Sequence, residues 1–233
     1  MLVNSFDTKF GNTAKKYELL DNTFIKLIKK NKSFERIFTS VSTNKNLEHK
    51  INLRSDITGQ VLNSIINQNL HKNKNFYYMG DVFKTDIFSS QVKQFREHGI
   101  EIINENNMNS FLSSMKILIQ YLNLIVKKEF IFVFTDPSIK KTNEFILTEK
   151  KTNSKITNYV KNFKKLSKSI LYEVNLEKNF FSKNYHKDIF FYVYSSKSKK
   201  ILVQGGAYSY KKNNLSINGF GFSCNIDYWV ELI

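Results

Sequence analysis

The chain has 233 residues, 41% apolar and 15% aromatic, a length that can bury one full core and a composition that excludes a wholly disordered protein. A single cysteine and the lack of any apolar run near the roughly 18 residues of a membrane span exclude a disulfide framework, a Cys-based zinc site and a transmembrane helix. The net charge is +16, but only three of the 36 basic residues are Arg, and Lys, Asn, Ile and Phe, all encoded by A/T-rich codons, are abundant; a solvated, codon-driven surface accounts for this better than nucleic-acid readout, which favours Arg.

The segment 1–7 has no charged, apolar leader pattern, so the expectation is a soluble cytoplasmic protein. Tyr17, Leu20, Phe24, Leu27 and Ile28 recur at three- and four-residue spacing and predict a helix over 12–30. Ile37 to Val41 and Ile51 to Arg54 read as short strands. Asp56 is a good N-cap for an amphipathic helix over 57–69, with Val61, Leu62, Ile65 and Ile66 on its apolar side. The aromatic-rich segment 76–83 and the segment 92–103 predict an antiparallel strand pair.

Ser110 then caps a helix that runs to Lys128, and Phe130 to Thr135 is a buried strand stopped by Asp136-Pro137. Residues 138–170 are polar and dense in Lys, fitting short helices or an insert. Segments 189–194 and 201–204 predict strands around the turn 195–200. Gly205-Gly206 reads as a tight turn or bulge, 220–225 as a strand, and 226–233 as a short apolar helix. Strands outnumber parallel crossover units and helices flank them, so the fold class is α+β with a mainly antiparallel sheet, in one domain over 1–233.

Motifs for nucleotide phosphates and serine nucleophiles are absent. His49, His71, His98 and His186 sit at no zinc spacing, so no metal is expected and each reads as structural or surface. Cys224, in an apolar strand, reads as an inert buried thiol.

Three stretches carry more information together than singly. They are Asn52 to Val61, with Arg54, Asp56 and Thr58; Tyr77 to Asp86 followed by Gln94 to Ile103; and Gly205-Gly206-Ala207-Tyr208 followed by Asn218 to Phe222. Their order and spacing resemble the catalytic core of histidyl-tRNA synthetase, a class II synthetase, over nearly the whole chain. The first resembles its Leu-Arg-Pro-Glu-(Gly/Met)-Thr segment, the second motif 2, and the third the Gly-Gly-Arg-Tyr-Asp segment before motif 3. That resemblance implies a class II synthetase-like sheet. The departures are specific. Lys84 stands where motif 2 has its arginine, Ala207 and Ser209 replace an arginine and an aspartate, and 220–233 contains no Arg. Adenylate formation needs placed cations against phosphate charge, so amino-acid activation is not expected.

A catalytic-core look-alike without those arginines, and without an anticodon-binding domain, is similar to the regulatory subunit of ATP phosphoribosyltransferase. Thr135-Asp136-Pro137 resembles that family's Gly-Asp-Pro turn. This resemblance implies a non-catalytic protein with no cofactor. It would be a homodimer, through 34–43, inside a hetero-oligomer with the short-form catalytic subunit of histidine biosynthesis, with free histidine as a feedback ligand. The implied ligand residues are Asp56, Thr58, Lys84, Glu97, Glu101 and Tyr185. Glu97 and Glu101 share a face of an extended strand and could receive an ammonium or imidazolium. A divergent synthetase-like enzyme that activates an amino acid or carboxylate, and a non-catalytic RNA-binding module, remain as alternatives.

Overall fold

In this computed structural model the structure describes residues 8–31, 33–42, 52–68, 74–85, 91–103, 107–125, 130–137, 154–167, 169–175, 186–196, 200–212 and 215–233. The elements, in chain order, are α1 (Gly11–Lys29), β1 (Phe34–Arg36), α2 (Thr58–Asn67), β2 (Asn75–Thr85), β3 (Val92–Ile103), α3 (Asn107–Ile125), β4 (Phe130–Thr135), α4 (Ser154–Leu166), β5 (Leu171–Asn175), β6 (His186–Ser195), β7 (Ile201–Lys212), β8 (Leu215–Asn225) and α5 (Ile226–Val230). The strands form one eight-stranded sheet in the order β1-β2-β3-β8-β7-β6-β4-β5. Only the two edge pairs, β1 with β2 and β4 with β5, are parallel. The expected α+β architecture with a mainly antiparallel sheet is therefore present.

Each strand exposes alternate residues to opposite faces, and the two faces are covered differently. One face carries α1, α3, α4 and α5. Leu20, Phe24, Phe111, Leu118, Phe132, Phe134, Phe163, Phe191, Phe220 and Trp229 are buried there in one cluster. Each such side chain stabilises the fold by about 1.5–3 kcal/mol through burial. The other face carries α2, whose Val61, Leu62 and Ile65 pack on Tyr78, Val82, Ile103, Tyr208 and Ile217. Among the described residues α2 covers only part of that face and leaves a cleft beside it.

Several sequence expectations are corrected. The first strand is β1, three residues before the expected 37–41. Ile37 N–H still bonds Tyr77 C=O, but the Thr39 and Ser40 carbonyls then turn to the Arg54 guanidinium and leave the sheet. The 51–54 strand reduces to one antiparallel bridge, Leu53 with Ser42, and Ile51 lies outside the described residues. The N-cap of α2 is Ile57, without a side-chain cap bond. Asp56 acts one residue further out, accepting from Gly59 N–H at 3.3 Å.

Ser110 does not cap α3; that helix begins at Asn107, and Ser110 is buried inside it. Of the turn or bulge expected at Gly205-Gly206, the turn is absent: β7 runs through both glycines, and its register with β6 shifts just beyond Gly206. Glycine is needed at both positions, because a side chain on Gly205 would strike the Gly221 carbonyl and the Phe191 ring, and one on Gly206 the Ile189 carbonyl. In the polar region 138–170, residues 138–153 and 168 lie outside the described residues, and the remainder supplies α4, a short helix of the kind expected there; the edge strand β5, just past the region, was not anticipated. Among the described residues no helix is long and apolar enough to cross a membrane.

Candidate functional site

On this sheet face the described residues form a cleft of about 570 Å³ between the start of α2 and strands β2, β3, β6, β7 and β8. Its floor is built by register. On β3, Glu97 sits between Gly80 of β2 and Asn225 of β8, and Glu101 between Phe76 and Gly221. Both carboxylates point to the cleft face, and both are buried, Glu97 at 6% exposure and Glu101 at 1%. Gly221 makes room for the second, since a side chain there would run into the Glu101 carboxylate.

Each carboxylate has a defined partner. Thr58, in the first turn of α2, donates its hydroxyl to Glu101 Oε1 at 2.7 Å. Lys84, near the end of β2, places Nζ 2.8 Å from Glu97 Oε1. Asp56 and Ser55 also line this end. Part of the lining is aromatic: Phe95 and Tyr228 meet edge to face with centroids 5.8 Å apart. Lys84 Nζ lies 5.8 Å from the Phe95 centroid and Lys200 Nζ 4.9 Å from that of Tyr228. Lys200 is also ion-paired with Glu231. His186 enters the lining from β6, where the register shifts between His186 and Phe190 and Asp188 takes a left-handed φ of 60°.

The same strand is anchored from behind. Arg96 and His98 alternate with Glu97 and point to the helices. Arg96 grips Asp21 of α1 through two nitrogens, at 2.6 and 3.1 Å, and its backbone N–H donates to Asp227 of α5. His98, fully buried and stacked on Phe24, places Nε2 2.8 Å from Asp21 Oδ1 and Nδ1 3.0 Å from the Tyr121 hydroxyl. Burial pushes the His98 pKa below its ordinary value, against the opposing pull of Asp21. Burial alone would raise the Asp21 carboxyl, but its bonds to His98 and Arg96 bring it below the usual value. Burial, then the nearby Glu101 and Glu97, raises the Tyr78 phenol well above its ordinary range.

Arg54 is a structural clamp that the sequence did not reveal. Only 4% exposed, it donates from Nε to the Asp81 carbonyl and from Nη1 to the Thr39 carbonyl, the Thr39 hydroxyl and the Ser40 carbonyl. Gly80 leaves the space its guanidinium fills.

Of the six residues implied as ligand contacts, Asp56, Thr58, Lys84, Glu97 and Glu101 are brought together in this one cleft. Tyr185 lies outside the described residues, as do His49 and His71. Phe95, His186, Lys200, Gln204, Asn225 and Tyr228 also line the cleft and were not anticipated. Phe95 lies inside the marked stretch 94–103, His186 follows the expected Tyr185, and Gln204 precedes Gly205; Lys200, Asn225 and Tyr228 lie outside the marked stretches. Cys224 is buried, and burial raises its thiol well above its ordinary pKa. Among the described residues no group of three His, Cys, Asp or Glu is placed to hold a metal ion.

Comparison with known proteins agrees with this geometry at the level of fold and family. No curated protein matches the chain in sequence. Solved structures superpose closely. The ATP phosphoribosyltransferase regulatory subunit/histidyl-tRNA synthetase from Bacillus halodurans C does so with a TM-score of 0.76 and 14% identity, over 100% of this chain and 83% of that one. Apo histidyl-tRNA synthetase from S. aureus gives 0.72 and 15%, over 100% and 73%. The ATP phosphoribosyl transferase (HisG:HisZ) complex from Thermotoga maritima gives 0.68 and 13%, over 93% and 98%. At these identities the likeness carries the fold, which is that of the class II aminoacyl-tRNA synthetases. The sequence profile of the histidyl-tRNA synthetase family matches residues 27–153, more than half of the chain. This chain therefore belongs to the histidyl-tRNA synthetase family.

Proposed function

We propose that the chain is a non-catalytic regulatory subunit that binds and activates the short-form catalytic subunit of ATP phosphoribosyltransferase. In this reading its cleft is a ligand-sensing site and not an adenylating one. One observation carries it: none of the chain's three arginines lines the cleft. Arg54 is buried under backbone carbonyls, Arg96 is locked to Asp21 on the opposite face, and Arg36 lies over the Phe38 ring beside β1. Joining an amino acid to ATP puts charge on phosphoryl oxygens, and planar guanidinium forks are the usual means of holding it. Lys84, at the corresponding place, is already bonded to Glu97. The similarity in fold to the Bacillus halodurans and Thermotoga maritima proteins supports the same reading. Assembly as a homodimer through β1 and the segment that follows belongs to the proposal; Phe38 is 77% exposed there.

The test is co-purification with a short-form ATP phosphoribosyltransferase from the same genome, assaying its activity with and without this chain. A stable complex with raised activity is expected. ATP–pyrophosphate exchange with any amino acid by this chain alone would overturn the reading in favour of a divergent enzyme.

A further inference from the structure

The cleft has a charge inventory unlike that of the chain around it. Basic residues outnumber acidic ones 36 to 20, yet three carboxylates, Asp56, Glu97 and Glu101, converge on one pocket. The cations that share it are committed. Lys84 holds Glu97 at 2.8 Å, and Lys200 holds Glu231 from the rim. His186 packs on the Phe190 ring with centroids 4.7 Å apart. A ligand carboxylate entering this space meets three carboxylates. The ammonium that β2 places there is shared with Glu97, so its pull on a second carboxylate is offset by the charge it already holds. A ligand ammonium meets the opposite situation: carboxylate oxygens on the floor of the cleft.

From this we infer that the cleft takes an organic cation, a primary amine that lacks a carboxylate, in preference to a free zwitterionic amino acid. The inference rests on reading the cleft as a non-adenylating ligand site and is independent of which protein the chain partners. Glu97 is the residue that sets the preference. By pairing with Lys84 it offsets that cation's pull on a carboxylate, and by its own charge it opposes one.

The experiment is calorimetric titration of the full chain with four matched probes: L-histidine, L-histidine methyl ester, imidazole-4-ethylamine and imidazole-4-propionate. The ester and the ethylamine are expected to bind about tenfold more tightly than histidine, and the propionate not at all, as placing one like charge near another costs on this scale. Glu101→Gln should weaken ethylamine binding, and Asp56→Asn, at a less buried site, repeats the test if Glu101→Gln fails to fold. Lys84→Gln should leave ethylamine binding as tight or tighter. Histidine binding as well as its ester, weaker ethylamine binding in Lys84→Gln, or no binding by any probe would each overturn the inference. Complex formation with the catalytic subunit is measured on the same preparation. A complex without the amine preference sinks this inference alone, and an amine preference without a complex sinks only the assigned partner.

Discussion

Gly221 on β8 and Glu101 on β3 are direct partners across the sheet, and the missing side chain of the glycine is what seats the carboxylate. A methyl group at 221 would meet both the Glu101 carboxylate and the Ile100 carbonyl, and the second cannot move without shifting the strand. Gly221→Ala should therefore destabilise the protein by about 1–3 kcal/mol, as overpacking does. Urea unfolding reads this directly, and a midpoint equal to the parent's would show that the sheet relaxes around the methyl.

Arg54 should be among the most sensitive charged residues. Its guanidinium ties the turn at Thr39 and Ser40 to the Asp81 carbonyl on β2. Arg54→Met should cost about 3 kcal/mol, since hydrogen bonds from a buried charge are lost and several carbonyls are left bare. Arg54→Lys should recover little of it, because an ammonium cannot span acceptors that the planar fork reaches together. Full recovery by lysine, measured by denaturant titration, would contradict the clamp.

Stability should fall in mild acid through His98. Burial holds this imidazole neutral in the fold, below its ordinary value of 6.5. As the pH drops through that value the unfolded chain takes up a proton that the folded chain refuses, so stability is present above it and is lost below it. Asp21 adds its own loss only lower, below its ordinary 3.8, because its folded value is depressed. His98→Phe should flatten the decline in unfolding free energy just below pH 6.5 and leave the steeper acid limb. An unchanged slope would assign the decline to other groups.

Trp229 should be a keystone of the short terminal helix. It is fully buried, lies 4.6 Å from the Tyr121 ring and donates Nε1–H to the Leu202 carbonyl at 3.0 Å. Trp229→Ala should cost about 3–5 kcal/mol. Trp229→Phe, keeping most of the volume but losing the donor, should cost about 1 kcal/mol. A melt of the alanine variant that matches the parent would place this residue outside the core.

What the sequence made legible follows the range of the forces involved. The helix around Leu20 and Phe24, the limits of β3 and the strand at Phe130 to Thr135 are set by local periodicity, and the structure reproduces them closely. The errors arise where a distant partner decides. Gly205-Gly206 has turn-like residues, but Phe191 and the carbonyls of Ile189 and Gly221 need that space. Ser110 is a good cap, yet the helix starts at Asn107. The acidic half of the cleft could be drawn from the motif order alone. The aromatic half, contributed by Phe95 and Tyr228, needed the pairing of β3 with β8, which brings residues 97 and 225 together.

That central pairing also fixes an order in time. β3 can zip to β2 as soon as the short connection between them is made, so half of the cleft floor is available early in synthesis. The other half arrives only with β8, after α3, β4, α4, β5, β6 and β7 have emerged. Contacts so far apart along the chain form slowly. Until they do, Glu101 has neither its glycine berth nor a cleft around it, and β3 presents an unpaired edge. A nascent chain would thus carry the acidic motif without the cleft that later surrounds it.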